Sequence, residues 1–466
     1  MKNIFVCFIL LSLSAHAQNS WQHGRLRVTA DGHYLQYQDG KPFFWLGDTG
    51  WELFHRLQLD EIKIYLENRK AKGFNVIQSV ILAEFDGLTR PNQNGDLPLM
   101  NNDPEKPNEK YFLFVDSVIK IALQKNMFMG LLPTWGDKVY KLWGTGPEIF
   151  NVQNAYDYGF FLGSRYKDYP NIIWIMGGDR PAMNASTDVR PIWRAMAAGI
   201  NQGTNGKAIF AYHPSGGDYS SSQFLYAEDW LGINMIQGGH GSGHDVEIWK
   251  LIARDRNIQP AKPTLDDEPN YEDHPVNPWP TWDPANGYYD DYDVRKQTYR
   301  SVFAGACGVT YGHHSVWQFL SSRETPINHP KIMFWKEAID RPGAFQVGYL
   351  RKLIESRKII NRIPDSTIVV SDPGEKSEHI EAFRDAGNKY AMIYLPVGKD
   401  IIVKTSFIDY NKIVAWWFNP KTGVAEEIGV LANKPPMGFS PPTKGSGNDW
   451  VLIIDDAWEK FKVPGK

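Results

Sequence analysis

Carboxylates close several of the apolar runs in this chain. "NIIWIMGGDRP" (171–181) stops at two glycines, Asp179 and Arg180, and "KPTLDDEP" (262–269) carries Asp266, Asp267 and Glu268. Two carboxyl groups that face each other are what cleavage of a glycosidic bond needs. One protonates the leaving oxygen, and the other attacks the anomeric carbon or activates water. Asp179 and Glu268 are the natural pair. Side chains alternate along a strand, so Ile175, Gly177 and Asp179 share one face. By the same rule Thr264, Asp266 and Glu268 share a face, with Asp267 on the other. The competing structural reading is that a strand-end carboxylate caps a helix or pairs with an arginine, as Asp179 could with Arg180. Asp266 and Asp267 crowd Glu268 with like charge, which would raise a carboxyl pKa, and we assign them a supporting role. The glycines before Asp179 are expected to leave open space beside a short acid, so that a compact sugar approaches the strand end closely.

The other runs end in residues of the same kinds. Asp48 and Trp51 follow the first run, Glu84 the second, and Trp135 and Asp137 the third. His213 follows the fifth, Gln237 and His240 the sixth, and His313, His314 and Trp317 the eighth. Trp51, Trp135, His213, His240 and Trp317 are expected to line a pocket, and Asp48 and Glu84 to hold sugar hydroxyls. Asp137, Asp266 and His313 join them as substrate-binding candidates. The chain holds 17 Trp. Many must be core, but indole faces also stack on sugar rings. There is no serine in a nucleophile elbow and no C-x-x-C. His240 and His244 lie four apart in a glycine loop, not on a helix, so we expect no metal site and no cofactor.

These residues need a scaffold that gathers strand ends. Eight strand-like runs alternate with helix-like stretches: 43–49, 74–82, 127–135, 171–179, 208–214, 233–241, 262–269 and 308–315. Such alternation argues an α/β fold with a parallel sheet, and eight units within roughly 270 residues argue a closed (β/α)8 TIM barrel, whose site lies at the C-terminal ends of the strands. Helices are predicted over 59–73 (with Asp60 as N-cap), 109–126, 152–168, 189–200, 293–306 and 342–358. The first strand-to-helix turn lacks the G-x-G-x-x-G of a nucleotide fold, and the glycine-rich 238–243 opens no clear helix. After about residue 360 the texture changes to short β runs between Gly, Asn, Pro and Asp turns, beginning with "STIVVSD" and ending with "DWVLIIDD". The expected organisation is a barrel over 18–360 with an N-terminal strand extension, then an antiparallel β-sandwich over 361–466.

Fifty basic and 53 acidic residues leave a net charge of -3, which offers no phosphate-binding surface and excludes nucleic acid as the expected partner. "MKNIFVCFILLSLSAHAQNS" reads as a signal peptide over 1–17, cleaved near Ala17 and exporting the chain to the periplasm, cell surface or medium. Cys7 lies inside that leader, which leaves Cys307 as a single, inert core thiol. No other apolar run reaches the ~18 residues of a membrane span.

"FFWLGDTGWELFHRL", "GFNVIQSVIL", "IIWIMGGDRP", "LDDEPNYE" and "GVTYGHHSVWQF" together resemble the apiosidase-like barrels of glycoside hydrolase family 140. The tail, with "VAWWFNPKTG", resembles the collagen-binding-like β-domain that often follows them. The resemblance covers most of the mature chain. It implies an exo-acting retaining enzyme without a cofactor, of the type found in Bacteroidetes. The implied substrate is a plant cell-wall oligosaccharide, apiose-bearing side chains of the pectin rhamnogalacturonan II. It also implies Asp179 as acid/base and Glu268 as nucleophile, with carboxyl groups about 5–5.5 Å apart. Most members of the wider clan end the fourth strand with Asn-Glu, where this chain has Gly178-Asp179; the Asn contact to the sugar 2-OH is missing and the acid arm is one methylene shorter. A branched furanose would fit that difference. Other sugars (a galactofuranosidase, an endo-glycanase) and a non-catalytic carbohydrate-binding barrel are the alternatives.

Overall fold

The computed structural model describes residues 21, 23–217, 220–326 and 333–466. Residues 1–17, expected to form a signal peptide, lie outside the described residues. Eight parallel strands form the barrel: β1 Trp45–Thr49, β2 Val76–Leu82, β3 Phe128–Thr134, β4 Ile172–Gly177, β5 Phe210–His213, β6 Asn234–Ile236, β7 Thr264–Asp266 and β8 Gly308–Tyr311. They pair in the order β5-β4-β3-β2-β1-β8-β7-β6. A parallel bridge between Ala211 and Ile233 joins the two remaining edges. Helices cover the outside, so the strands are buried on both faces, which is why they read as continuous apolar runs.

Alternate residues divide the core in two. Val76, Val80, Leu132, Ile173, Ile175, Met235 and Leu265 fill the barrel interior. Ile77, Ile81, Met129, Leu131, Trp174 and Met176 pack outward against the helices. A small antiparallel sheet of Leu26–Val28, Leu35–Tyr37 and Pro42–Phe43 precedes the barrel. It plugs the N-terminal end, where Trp21, Tyr37 and Phe43 pack their rings on Phe128. The opposite end is left for chemistry.

Six of the eight expected strands, all but the first two, run past the observed ones at their C-terminal ends, because the polar residues that close those runs have already left the sheet. The first expected strand divides: Pro42–Phe43 belongs to the plug and Trp45–Thr49 to the barrel. Helix Leu59–Ala71 starts one residue earlier than its expected cap. Gln58 is the N-cap, in a capping box with Glu61, and Asp60 pairs with Lys63 instead.

Beyond Ile359–Asn361 the chain forms a six-stranded antiparallel sheet ordered Arg362–Pro364, Glu381–Asp385, Tyr390–Leu395, Trp450–Asp456, Lys412–Asn419, Val424–Ala432. A second pair, Ile401–Val403 with Met437–Phe439, packs on it. "STIVVSD" is not a strand: Ser366–Ile368 forms a 3-10 turn, capped by the Asp365 side chain. Helix Asp291–Phe303 is buried from Asp293 to Phe303 because it lies between barrel and sheet. Arg295 pairs with Asp449 at 3.0 Å, Arg300 donates to the carbonyls of Lys376 and Ser377, and Tyr299 stacks on Tyr394. The two domains therefore share one packed helix.

Candidate active site

A cavity of about 760 Å³ occupies the C-terminal mouth of the barrel. Asp179 and Glu268 both line it, with Glu84, Trp51, Trp135, Trp317, Gln237, His240, Tyr271 and His274. Trp143 and Trp279 stand in its wall with 62% and 57% of their surface exposed.

Asp179 arrives on three successive residues of left-handed backbone: Gly177 at φ 85°, Gly178 at 120° and Asp179 itself at 53°. The glycines do not leave open space. A Cβ on Gly177 would lie 2.3 Å from the His213 carbonyl oxygen, and one on Gly178 would lie 2.6 Å from the Gly136 nitrogen. The turn is threaded between the ends of β3 and β5. Gly136 N–H donates to Gly178 O, and Gly178 N–H donates to His213 O, both at 3.1 Å. The glycines are therefore needed for close backbone approach and for positive φ, and they aim the acid. Arg180 Nη1 and Trp143 Nε1 donate to Asp179 Oδ2 at 3.1 and 3.3 Å. Arg180 Nη2 stands 3.6 Å from Glu84. Burial nonetheless raises the Asp179 pKa; Arg180 opposes the shift and the charge of Glu268 adds to it. Burial, then Asp179, lifts Glu84 well above the usual carboxylate range.

Glu268 sits in the opposite setting. Pairing of β7 stops at Asp266, and the chain bends at Glu268. This breaks the expected alternation. Leu265 points into the barrel, whereas Asp266 points out to helix Asp291–Phe303, accepting from Gln297 at 3.2 Å and Ser301 at 2.7 Å. Asp267 and Glu268 then both turn inward. Asp267 Oδ2 meets His213 Nδ1 at 2.6 Å. Glu268 Oε2 stands 3.3 Å from His213 Nε2, and Oε1 accepts from His240 Nε2 at 3.2 Å. His240 stacks on His274 with centroids 4.0 Å apart.

Like charge does not raise Glu268. Burial works against its ionised form, but the hydrogen bonds and charge of His213 and His240 outweigh burial and hold its pKa far below the usual range. The flanking carboxyls take the upward shift: burial pushes Asp266 to about 7 and Asp267 to about 6. Burial disfavours the His213 cation, yet Asp267 and Glu268 raise its pKa to about 10. His213 is thus a buried cation wedged between two carboxylates.

Of the expected pocket residues, Trp51, Glu84, Trp135, His240 and Trp317 line the cavity. His213 lies beneath it, against Trp51, Trp135 and Glu268. Four candidates point elsewhere. Asp48 is fully buried behind β1, where it accepts from Tyr65 and Arg69 at 2.5 and 2.6 Å. Asp137 is fully buried against Lys138 Nζ and the backbone N–H of Gly146, both at 2.9 Å. Asp266 faces the helix, as described, and His313 pairs with Asp273 at 3.0 Å. His240 and His244 do not converge, since His244 pairs with Asp293. Cys307 is buried, and burial lifts its thiol to about 12.

Trp143, Tyr271, His274 and Trp279 went unread. All four sit in loops after strands, where no periodicity marks direction. The only sequence signal was an aromatic or imidazole ring close behind a strand-end carboxylate or among Gly and Pro, as in "KLWGTGP" and "NPWPTW". Tyr271 accepts from Trp51 Nε1 at 3.1 Å and so ties the floor together.

Two carboxyls thus face one cavity, one biased toward the protonated form and one held ionised. That is the division of labour between a general acid and a nucleophile. Residues 29–361 match the family model described as "Apiosidase-like, catalytic domain", and residues 363–455 match one described as a collagen-binding domain of a collagenase. A solved glycoside hydrolase family 5 protein from Bacteroides vulgatus ATCC 8482 is 32% identical, covering 94% of each chain with a TM-score of 0.85. A second structure, titled glycoside hydrolase, is 33% identical over 93% of this chain and 97% of that one, with a TM-score of 0.84. A third structure, also from Bacteroides vulgatus ATCC 8482, shares the fold at 15% identity, covering 93% of this chain and 82% of that one with a TM-score of 0.67. The search of curated proteins returned no match.

Proposed function

The chain belongs to the apiosidase-like glycoside hydrolase family, and we propose that it releases a terminal sugar, apiose from rhamnogalacturonan II side chains of pectin, by an exo-acting retaining mechanism. The observation that carries the mechanism is the opposed bias of Asp179 and Glu268 across one cavity. Glu268, kept ionised by His213 and His240, attacks the anomeric carbon. Asp179, whose pKa burial raises, gives its proton to the leaving oxygen as that bond breaks. The product is a glycosyl ester on Glu268 and a free leaving group. Asp179, now a carboxylate, then takes a proton from water as the water oxygen attacks the same carbon and frees Glu268. Neither step draws on a cofactor.

The cavity volume of about 760 Å³ lies within the ~300–1,000 Å³ of small-ligand sites. The short arm of Asp179 on its tight turn suits a compact ring. Export by the N-terminal leader suits a polymeric substrate met outside the cytoplasm.

The test is product analysis after incubation with rhamnogalacturonan II oligosaccharides, beside Glu268→Gln. We expect free apiose, released first with the anomeric configuration of the substrate, from the unaltered protein and none from the variant. Inverted product would overturn the retaining mechanism, and a different free sugar would overturn apiose. Undiminished release by Glu268→Gln would take the nucleophile assignment away.

A further inference from the structure

We propose that Trp143 is the platform for the leaving-group side of the glycan, a built subsite beyond the cleaved bond; the inference rests on Asp179 being the acid. The acid must reach the leaving oxygen, so the sugar attached to that oxygen lies on the Asp179 side of the cavity and not on the Glu268 side. Trp143 is the exposed aromatic on that side, its indole N–H only 3.3 Å from Asp179 Oδ2. The Arg180 guanidinium sits 4.5 Å from the ring centroid of Trp143. Arg180 itself is buried and tied to the backbone oxygens of Asp179 and Lys141. The indole therefore has a fixed cationic backing while it remains 62% exposed in the cavity wall, as a sugar-stacking surface requires.

The loop that carries the ring is anchored on both sides. Buried Asp137 accepts from Gly146 N–H at 2.9 Å, and Thr145 Oγ1 donates to Phe85 O at 2.8 Å. Gly144 packs so closely that a Cβ there would lie 2.5 Å from both Arg180 Nη2 and Asp137 Cβ. Asp137, expected to touch sugar, instead holds the loop that presents this ring. Trp279 differs: it stands beside His240 and His274, on the Glu268 side.

The experiment compares kcat/KM on an apiosylated rhamnogalacturonan II oligosaccharide with kcat/KM on apiosyl fluoride, whose leaving group is one atom that needs neither a platform nor a proton. Trp143→Ala should lose about tenfold more on the oligosaccharide than on the fluoride. Trp143→Phe, which keeps a stacking face and lacks the N–H, should recover most of that difference. Equal losses of Trp143→Ala on both substrates would overturn the platform. A Trp143→Phe variant as poor as Trp143→Ala would also overturn it, in favour of the hydrogen bond to Asp179. A parent protein that hydrolyses neither substrate would overturn the apiose reading and this proposal with it, a result unlike either of the others. Thermal unfolding of each variant reads whether the ring is merely structural.

Discussion

The wall of the cavity that carries Asp179 and the wall that carries Glu268 push the same functional group in opposite directions. Around Asp179 the paired cation, Arg180, also faces Glu84, and burial outweighs both it and the charge of His213, so the pKa rises. Around Glu268 two imidazoles converge on one carboxylate, and Asp267 behind His213 keeps that ring charged, so the pKa falls. The difference teaches that carboxylate density alone does not set protonation. Glu268 has more acidic neighbours in sequence than Asp179 has, yet its pKa is the one that falls, because the cation lies between it and Asp267.

The comparison can be broken at either wall. The largest effect should come from Asp179→Asn, which removes the proton donor. Turnover of rhamnogalacturonan II oligosaccharides should fall ~10²–10⁴-fold, with a much smaller loss on an aryl apioside whose leaving group needs little protonation. Equal losses in steady-state assays of the two substrates would remove the acid role.

Next is Asp267→Asn. It leaves His213 without its closest partner, and breaking a buried pair costs about 3–5 kcal/mol, read from urea unfolding at neutral pH. His213 has its folded pKa raised to about 10 from an ordinary value of 6.5, so the stability from its pairing is complete below the ordinary value and is lost as pH rises through 10. The deficit of the variant should therefore fade in that window. A deficit independent of pH would show packing, not charge, to be what Asp267 supplies. With His213 less charged, the acid limb of kcat/KM should also move to higher pH.

The smallest effect is expected from Arg180→Gln. Arg180 opposes the upward shift of Asp179. Its removal should carry the basic limb of the pH–rate profile, set by loss of the acid's proton, further up. A downward move would mean that Arg180 does not act on Asp179 through charge.

How much of this could be read beforehand depended on how local the deciding forces were. Strands buried on both faces must be apolar throughout, so β2, β3 and β4 stood out as runs and their alternation with helices indicated the barrel. The carboxyl pair was legible because strand ends in such a barrel converge. The aim of each side chain was less legible. One residue of offset reverses a strand's face, and the bend at Glu268 put that residue with Asp267, not with Asp266. Asp48 and Asp137 ended other runs just as suggestively, yet Arg69 and Lys138 drew them away from the cavity. The rings of the walls, Trp143, Tyr271, His274 and Trp279, lie on loops whose course follows from packing alone.

By itself the sequence determined the ring of strands and the placing of the two carboxyls at strand ends, since apolar patterning is a property of short segments. Only the tertiary structure decided which carboxyl is the acid-like one. A pKa depends on the charges and burial within a few ångströms, and those come from residues such as His213 and His240 for Glu268, brought together from strands far apart in the chain.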